Sequence, residues 1–138
     1  WALALQRLEP GRPVFNLTGD GSFGFTLQEL DTARREGLPV VTVVHDNAAW
    51  GIIRAGQQRA GFDLGTALDG TDYAAIARGF GCHGETVLQA ADVAPALQRA
   101  LASGLPAVLD CRTRFVPHPA GPAFGSMNRY GTGALGAG

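Results

Sequence analysis

Gly19-Asp20-Gly21-Ser22-Phe23-Gly24 is the stretch on which the reading of this 138-residue chain turns. It stands between two runs of different period. Upstream, Pro13–Leu17 reads as a short buried strand carrying Val14, Phe15 and Leu17. Downstream, Thr26 and Glu29 have the spacing of a capping box, with a helix body over Leu27–Glu36. Gly37 and then Pro39 are the expected stop signals. Strand, glycine-rich turn and helix together open a βαβ unit.

The same grammar continues outward. Pro39–His45 is a Val-rich run of the kind buried on both faces of a parallel sheet. Residues 46–72 are loop-rich, with a short helix over Gly51–Gln58. Asp72 caps a helix running through Ala77 towards Phe80, and Gly81 stops it. His83–Val87 reads as a short strand, Asp92 caps a helix to Ser103, and Pro106–Cys111 is another apolar strand. The joint Gly37-Leu38-Pro39-Val40-Val41 returns as Gly104-Leu105-Pro106-Ala107-Val108. Alternating strands and helices predict an α/β fold: a three-layer, doubly wound parallel sheet with helices on both faces. The domain is expected over residues 1–114, followed by an irregular Pro/Gly-rich tail over 115–138 that suits an arm on a partner. The chain opens at Trp1, and Trp1–Leu8 read as the end of a helix already under way. The expectation is a domain truncated at its N-terminus.

Composition narrows the function. Hydrophobic residues make up 46% of the chain, enough for a core, and the net charge is −1. No basic cluster supports binding to nucleic acid or an anionic membrane. No apolar run approaches a membrane span, so a cytoplasmic protein is expected. Cys82 and Cys111 have no metal-ligand spacing and read as small, partly buried reduced thiols.

Ligands of open α/β sheets bind beyond the carboxyl ends of the strands, where Gly19–Gly24 lies. Backbone N–H groups of a glycine-rich turn entering a helix make an anion site. Two ligands fit that description. Read as G-x-G-x-x-G, with Asp46 ending the next strand where it could hold a ribose, the stretch points to NAD. Asp20 argues otherwise, because its carboxylate would face the pyrophosphate. Two negative charges ~4 Å apart repel by about 4 kcal/mol at an effective dielectric of 20. That is roughly three orders of magnitude in affinity. A magnesium ion between them removes the repulsion, since Mg²⁺ commonly bridges carboxylate and phosphate oxygens. Further oxygens are available at the end of the next strand, from the Asn47 amide and the Ala49 carbonyl.

These residues resemble a known family. Gly19-Asp20-Gly21-Ser22-Phe23, Gln28-Glu29-Leu30, Gly37-Leu38-Pro39-Val40, Asp46-Asn47 and Gly51-Ile52-Ile53-Arg54 together look like the thiamine diphosphate enzymes. The similarity is to the acetolactate synthase, benzoylformate decarboxylase and pyruvate decarboxylase branch. It is clear over about residues 10–60 and looser to Cys111. The resemblance implies that Asp20, Asn47 and Ala49 hold Mg²⁺, the last through its carbonyl. It also implies that Gly19, Gly21, Ser22 and the Ala48 backbone lie against the diphosphate of thiamine diphosphate. One departure stands out: the family pattern usually reads Asn-Asn, and the first position here is Asp46.

The resemblance further implies chemistry and partners. Such enzymes decarboxylate a 2-oxo acid and either release the product or join the resulting enamine to a second carbonyl. An acetolactate synthase-like carboligase is the favoured reading, with a decarboxylase beside it. The activating glutamate and the pyrimidine-binding domain come from elsewhere in the same or a second subunit of a homodimer or homotetramer. No catalytic residue is assigned in this chain, which alone is expected to be inactive. Two other classes stay open, an NAD-binding domain and a non-catalytic α/β interaction module. Among the remaining residues, His45 reads as a strand-end histidine, Glu29 as a helix cap, Trp50 as packing over the loop, and Arg54 as solvated or structural rather than a contact to an acidic substrate. His83 and His118 have no recognisable partner in the sequence, and Phe115, Phe124 and Tyr130 read as packing aromatics.

Overall fold

The computed structural model describes residues 1–116. After a helix α1 (Ala2–Leu8), strand β1 (Phe15–Gly19) leads directly into a short helix α2 (Asp20–Gly24) and then α3 (Glu29–Arg35). Strand β2 (Val41–Asp46), helices α4 (Gly51–Arg59) and α5 (Tyr73–Gly79), strand β3 (His83–Val87), helix α6 (Val93–Ser103) and strand β4 (Ala107–Arg112) follow. The four strands are parallel, in the order β1-β2-β4-β3.

That order explains the layers. The connections β1→β2 and β2→β3 advance across the sheet in one direction, and β3→β4 steps back. Because parallel crossovers are right-handed, a backward step puts its helix on the opposite face. The packing agrees. Phe23, Leu30, Tyr73, Ala77 and Cys82 cover Val44 and Val108 on one face. On the other, Ala96 and Ala100 of α6 cover Val41, Ala107 and Leu109. The sheet is therefore doubly wound in three layers, as the sequence predicted. Small residues set the helices close. A Cβ on Gly84 would lie 2.1 Å from the Ala74 carbonyl oxygen, so only glycine lets α5 seat directly on β3.

Three local expectations are corrected. Phe15 and Leu17 were expected to be buried, yet Leu17 is 78% exposed. β1 is an edge strand, and α6 packs against the other three strands rather than over it. The capping box at Thr26 and Glu29 does not form: the N-cap of α3 is Gln28, with no side-chain cap. The chain is already helical from Asp20, and turns such as Thr26 N–H to Phe23 O and Glu29 N–H to Thr26 O carry it into α3. Little free helix start is left to cap. Asp92 stands at the N-cap of α6 but makes no side-chain cap bond, because a 3₁₀ turn over Ala90–Asp92 precedes the helix. Asp72, by contrast, accepts from Ala75 N–H at 2.7 Å as expected. Gly104 ends α6 at φ 63°. Cys82 and Cys111 are free thiols. The tail residues His118, Phe124 and Tyr130 lie outside the described residues.

Candidate cofactor-binding site

β1 ends at Gly19, and the next residue already belongs to α2. This abrupt change puts Asp20 at the carboxyl edge of the sheet, where ligands of such folds bind. Its side chain is 4% exposed. Gly21 N–H donates to Asp20 Oδ1 at 2.9 Å, and Ala49 N–H donates to Asp20 Oδ2 at 3.1 Å. From behind, the Tyr73 hydroxyl donates to the Asp20 carbonyl at 3.0 Å, while the Tyr73 ring meets Phe23 edge-on at 5.5 Å. Burial raises the Asp20 pKa, and nearby Asp46 adds to the rise against the two backbone donors. The carboxylate therefore sits where a neighbouring cation would stabilise its charged form.

The second loop starts where β2 ends. Asp46 Oδ1 accepts from Ala48 N–H at 2.9 Å, and Ala48 adopts φ 53°. A non-glycine residue in that region needs support from its surroundings. Leu68 N–H donates to the Ala48 carbonyl, and Trp50 N–H donates to the Thr66 carbonyl, both at 2.9 Å. These two bonds form a bridge between Ala49 and Ala67 and leave the Ala49 N–H free to face Asp20. Asn47 Oδ1 is buried and has no hydrogen-bond partner among the described residues. Gly51 makes room for that side chain, since a Cβ there would lie 3.0 Å from Asn47 Nδ2.

Between the two loops lies a cleft of about 630 Å³. Six of the seven residues predicted for the site line it: Gly19, Asp20, Gly21, Ser22, Asn47 and Ala49. Ala48 is not on the wall, its N–H and carbonyl being engaged by Asp46 and Leu68. Trp50 packs over the loop, as expected, and closes one side of the cleft. Its ring lies so near Gly21 that a Cβ there would be at 2.8 Å, and it also meets Phe25 at 5.5 Å. His45 lines the cleft at the end of β2. Arg54 is structural, as expected: it pairs with Asp63 at 2.8 Å and lies over the Phe115 ring.

Asp46 does not serve the dinucleotide reading. It is 2% exposed and turned inward, not onto the cleft wall. Arg112 Nη1 lies 3.0 Å from Asp46 Oδ2, and Arg112 Nη2 lies 2.8 Å from Asp110 Oδ2. Asp110 is fully buried within β4 and also accepts from Tyr73 N–H at 3.3 Å. Its pKa is pushed up to about 6, mainly by burial and further by Asp46, against the pull of Arg112. Tyr73, Asp110 and Arg112 were missed in the sequence. The signal that was present is an aspartate inside the apolar run Ala107-Val108-Leu109-Asp110-Cys111, since a buried charge needs a partner.

A strand-end carboxylate, an amide oxygen without a partner among the described residues and a glycine-walled cleft meet at the carboxyl edge of a doubly wound sheet, the place where such folds bind ligands. Residues 1–111 match the family model of the thiamine pyrophosphate enzyme, C-terminal TPP binding domain, and the chain belongs to that family. It is 42% identical over 115 residues to the acetolactate synthase large subunit of Mycobacterium tuberculosis, covering 82% of this chain and 21% of that protein. Two solved structures share the fold. A thiamine diphosphate-dependent 4-hydroxybenzoylformate decarboxylase of Rhodococcus jostii superposes with TM-score 0.74 at 29% identity, over 85% of this chain and 23% of its own. Benzoylformate decarboxylase of Polynucleobacter necessarius superposes with TM-score 0.76 at 26% identity, over 86% and 23%. The chain thus spans about a fifth of the length of these relatives. No helix among the described residues is long and apolar enough to cross a membrane.

Proposed function

We propose that this domain holds the diphosphate of thiamine diphosphate through Mg²⁺, with Asp20 and Asn47 as side-chain donors and the Ala49 carbonyl as a third. The observation that carries the reading is the buried Asn47 Oδ1, without a hydrogen-bond partner among the described residues, on the wall of the cleft that Asp20 also lines. A buried acceptor left without a donor calls for a missing partner. A divalent cation would supply that partner and the countercharge for Asp20 together. The donor set is all oxygen with a single carboxylate, which suits a hard cation whose remaining positions are filled by phosphate and water. Gly19, Gly21 and Ser22 line the same cleft and would border the diphosphate. Both backbone groups of Ala48 are engaged within the chain, so we assign its contribution to the shape of the turn.

When bound, thiamine diphosphate supplies a carbon nucleophile and an electron sink for cleaving a bond next to a carbonyl. This chain's residues bind and orient it: Asp20 and Asn47 fix the charged end, and Trp50 shields one side of the Gly21 turn. For the complete protein, we infer decarboxylation of a 2-oxo acid with transfer of the remaining fragment to a second carbonyl. The 42% identity to an acetolactate synthase supports carboligation, whereas the structural relatives above act as decarboxylases. A pyrimidine-binding domain of the same or a second subunit, in a cytoplasmic homodimer or homotetramer, belongs to this reading. Product analysis of the complete protein with 2-oxo acids tests it. A hydroxyketone formed only with Mg²⁺ and thiamine diphosphate supports carboligation, aldehyde alone indicates a decarboxylase, and turnover independent of thiamine diphosphate contradicts both.

A further inference from the structure

Arg112 stands at the end of β4, and it reaches three segments at once. Its Nη1 lies 3.0 Å from Asp46 Oδ2. Its Nη2 lies 2.8 Å from Asp110 Oδ2 and donates to the Thr71 carbonyl at 2.9 Å. Those contacts belong to the end of β2, to β4 itself and to the loop before α5. The next residue continues the grip: Thr113 donates to the Asp46 carbonyl through its N–H at 2.7 Å and its hydroxyl at 3.1 Å. Residues 112 and 113 therefore hold Asp46 by both side chain and main chain.

Asp46 in turn holds the loop. Its Oδ1 accepts from Ala48 N–H, and Ala48 sits at φ 53° between Asn47 and Ala49. That turn sets where the Asn47 oxygen and the Ala49 backbone point. The guanidinium suits this place: Nη2 donates to both Asp110 and the Thr71 carbonyl, while Nη1 faces Asp46 as an ion pair without a hydrogen bond, a span that a single ammonium does not cover. Without the arginine, Asp46 and Asp110, 2% and 0% exposed, would face each other with no cation.

We propose that Arg112 is a positioning residue for the cofactor loop. By neutralising Asp46, it allows that carboxylate to hold the Ala48 turn, and through it Asn47 and Ala49, in the arrangement that binds the metal. This rests on the metal donors assigned above. Arg112 touches neither donor, so it acts through Asp46.

The test is a cycle of Arg112→Met, Asp46→Asn and the double variant in the complete protein at neutral pH. Amide exchange over residues 46–50 is read without cofactor, and Mg²⁺ affinity is read at fixed thiamine diphosphate. Arg112→Met is expected to speed exchange at Ala48 and weaken Mg²⁺ binding by about tenfold or more, the range for loss of a supporting partner. Adding Asp46→Asn is expected to recover part of both losses, since it removes the unbalanced charge at position 46 while Asp110 still lacks its Arg112 partner. An asparagine oxygen still accepts from Ala48 and brings no charge to balance. Arg112→Met that matches wild type in both readings overturns the inference. So does a double variant no better than Arg112→Met. Should Arg112→Met fail to fold, Arg112→Lys with and without Asp46→Asn carries the same comparison, and recovery or its absence decides in the same way. Wild-type protein that binds no thiamine diphosphate contradicts the proposed function instead, while the cofactor-free exchange cycle still decides the role of Arg112.

Discussion

Asp20 and Ala49 are joined across 29 positions of sequence by one hydrogen bond, from Ala49 N–H to Asp20 Oδ2 at 3.1 Å. It ties the loop after β1 to the loop after β2. The strands themselves are adjacent, with Gly19 in register with His45. The parallel pairing therefore brings the two loops to one level, and the Ala49 turn closes the remaining gap. Neither loop makes the site alone.

Tyr73 supports this junction from below. Tyr73→Phe removes the donor to the Asp20 carbonyl and keeps the ring against Phe23. Leaving a buried carbonyl short of its donor costs about 1–3 kcal/mol. Urea unfolding should show a midpoint lowered by that free energy divided by the slope, with the slope itself unchanged. A midpoint equal to wild type would mean that another donor replaces the hydroxyl.

Gly21→Ala tests the closed side of the cleft. The added methyl would meet the Trp50 ring at 2.8 Å, and the ring must move. We expect thiamine diphosphate affinity to fall about tenfold, with Trp50→Ala in the same chain recovering part of it through a coupling of about 0.5–3 kcal/mol. Calorimetric titration of the four proteins measures the coupling. Strictly additive losses would show that the contact does not matter.

How far the sequence was legible follows from these residues. Val41–Asp46, buried on both faces, and the helix stops at Gly37 and Gly104 are local signals, and the elements appear where they were expected. Asp20, Asn47 and Ala49 carried a motif, and the fold brings them to one cleft. Burial of Phe15 and Leu17 was misread because alternation does not say which strand is at the edge. Tyr73, Asp110 and Arg112 were invisible because their meaning lies in pairings over long separations, such as 53 positions between Tyr73 and Asp20.

Asp110 predicts a pH dependence of the cofactor-free protein. Its carboxyl is pushed up to about 6 in the fold from 3.8, so the folded state holds a proton that the unfolded chain releases. Stability should therefore fall as pH rises from about 4 to about 6 and level off above that. Raised Asp20 adds in the same direction, so the difference between wild type and Asp110→Asn isolates Asp110. Denaturation in EDTA across this range should show a shallower slope for the variant. Parallel curves would contradict the assignment.

The proposed function rests on a magnesium-dependent site made by Asp20 and Asn47. Its most direct test is a tryptophan fluorescence titration of the complete protein with thiamine diphosphate, with and without Mg²⁺, since Trp50 borders the cleft. Quenching should require both ligands, with affinity reduced by about 100-fold or more in Asp20→Asn and Asn47→Leu. Asp20→Asn should keep or raise the cofactor-free melting temperature, because it removes a buried charge that the fold disfavours. Quenching without Mg²⁺, or undiminished in both variants, would contradict the site.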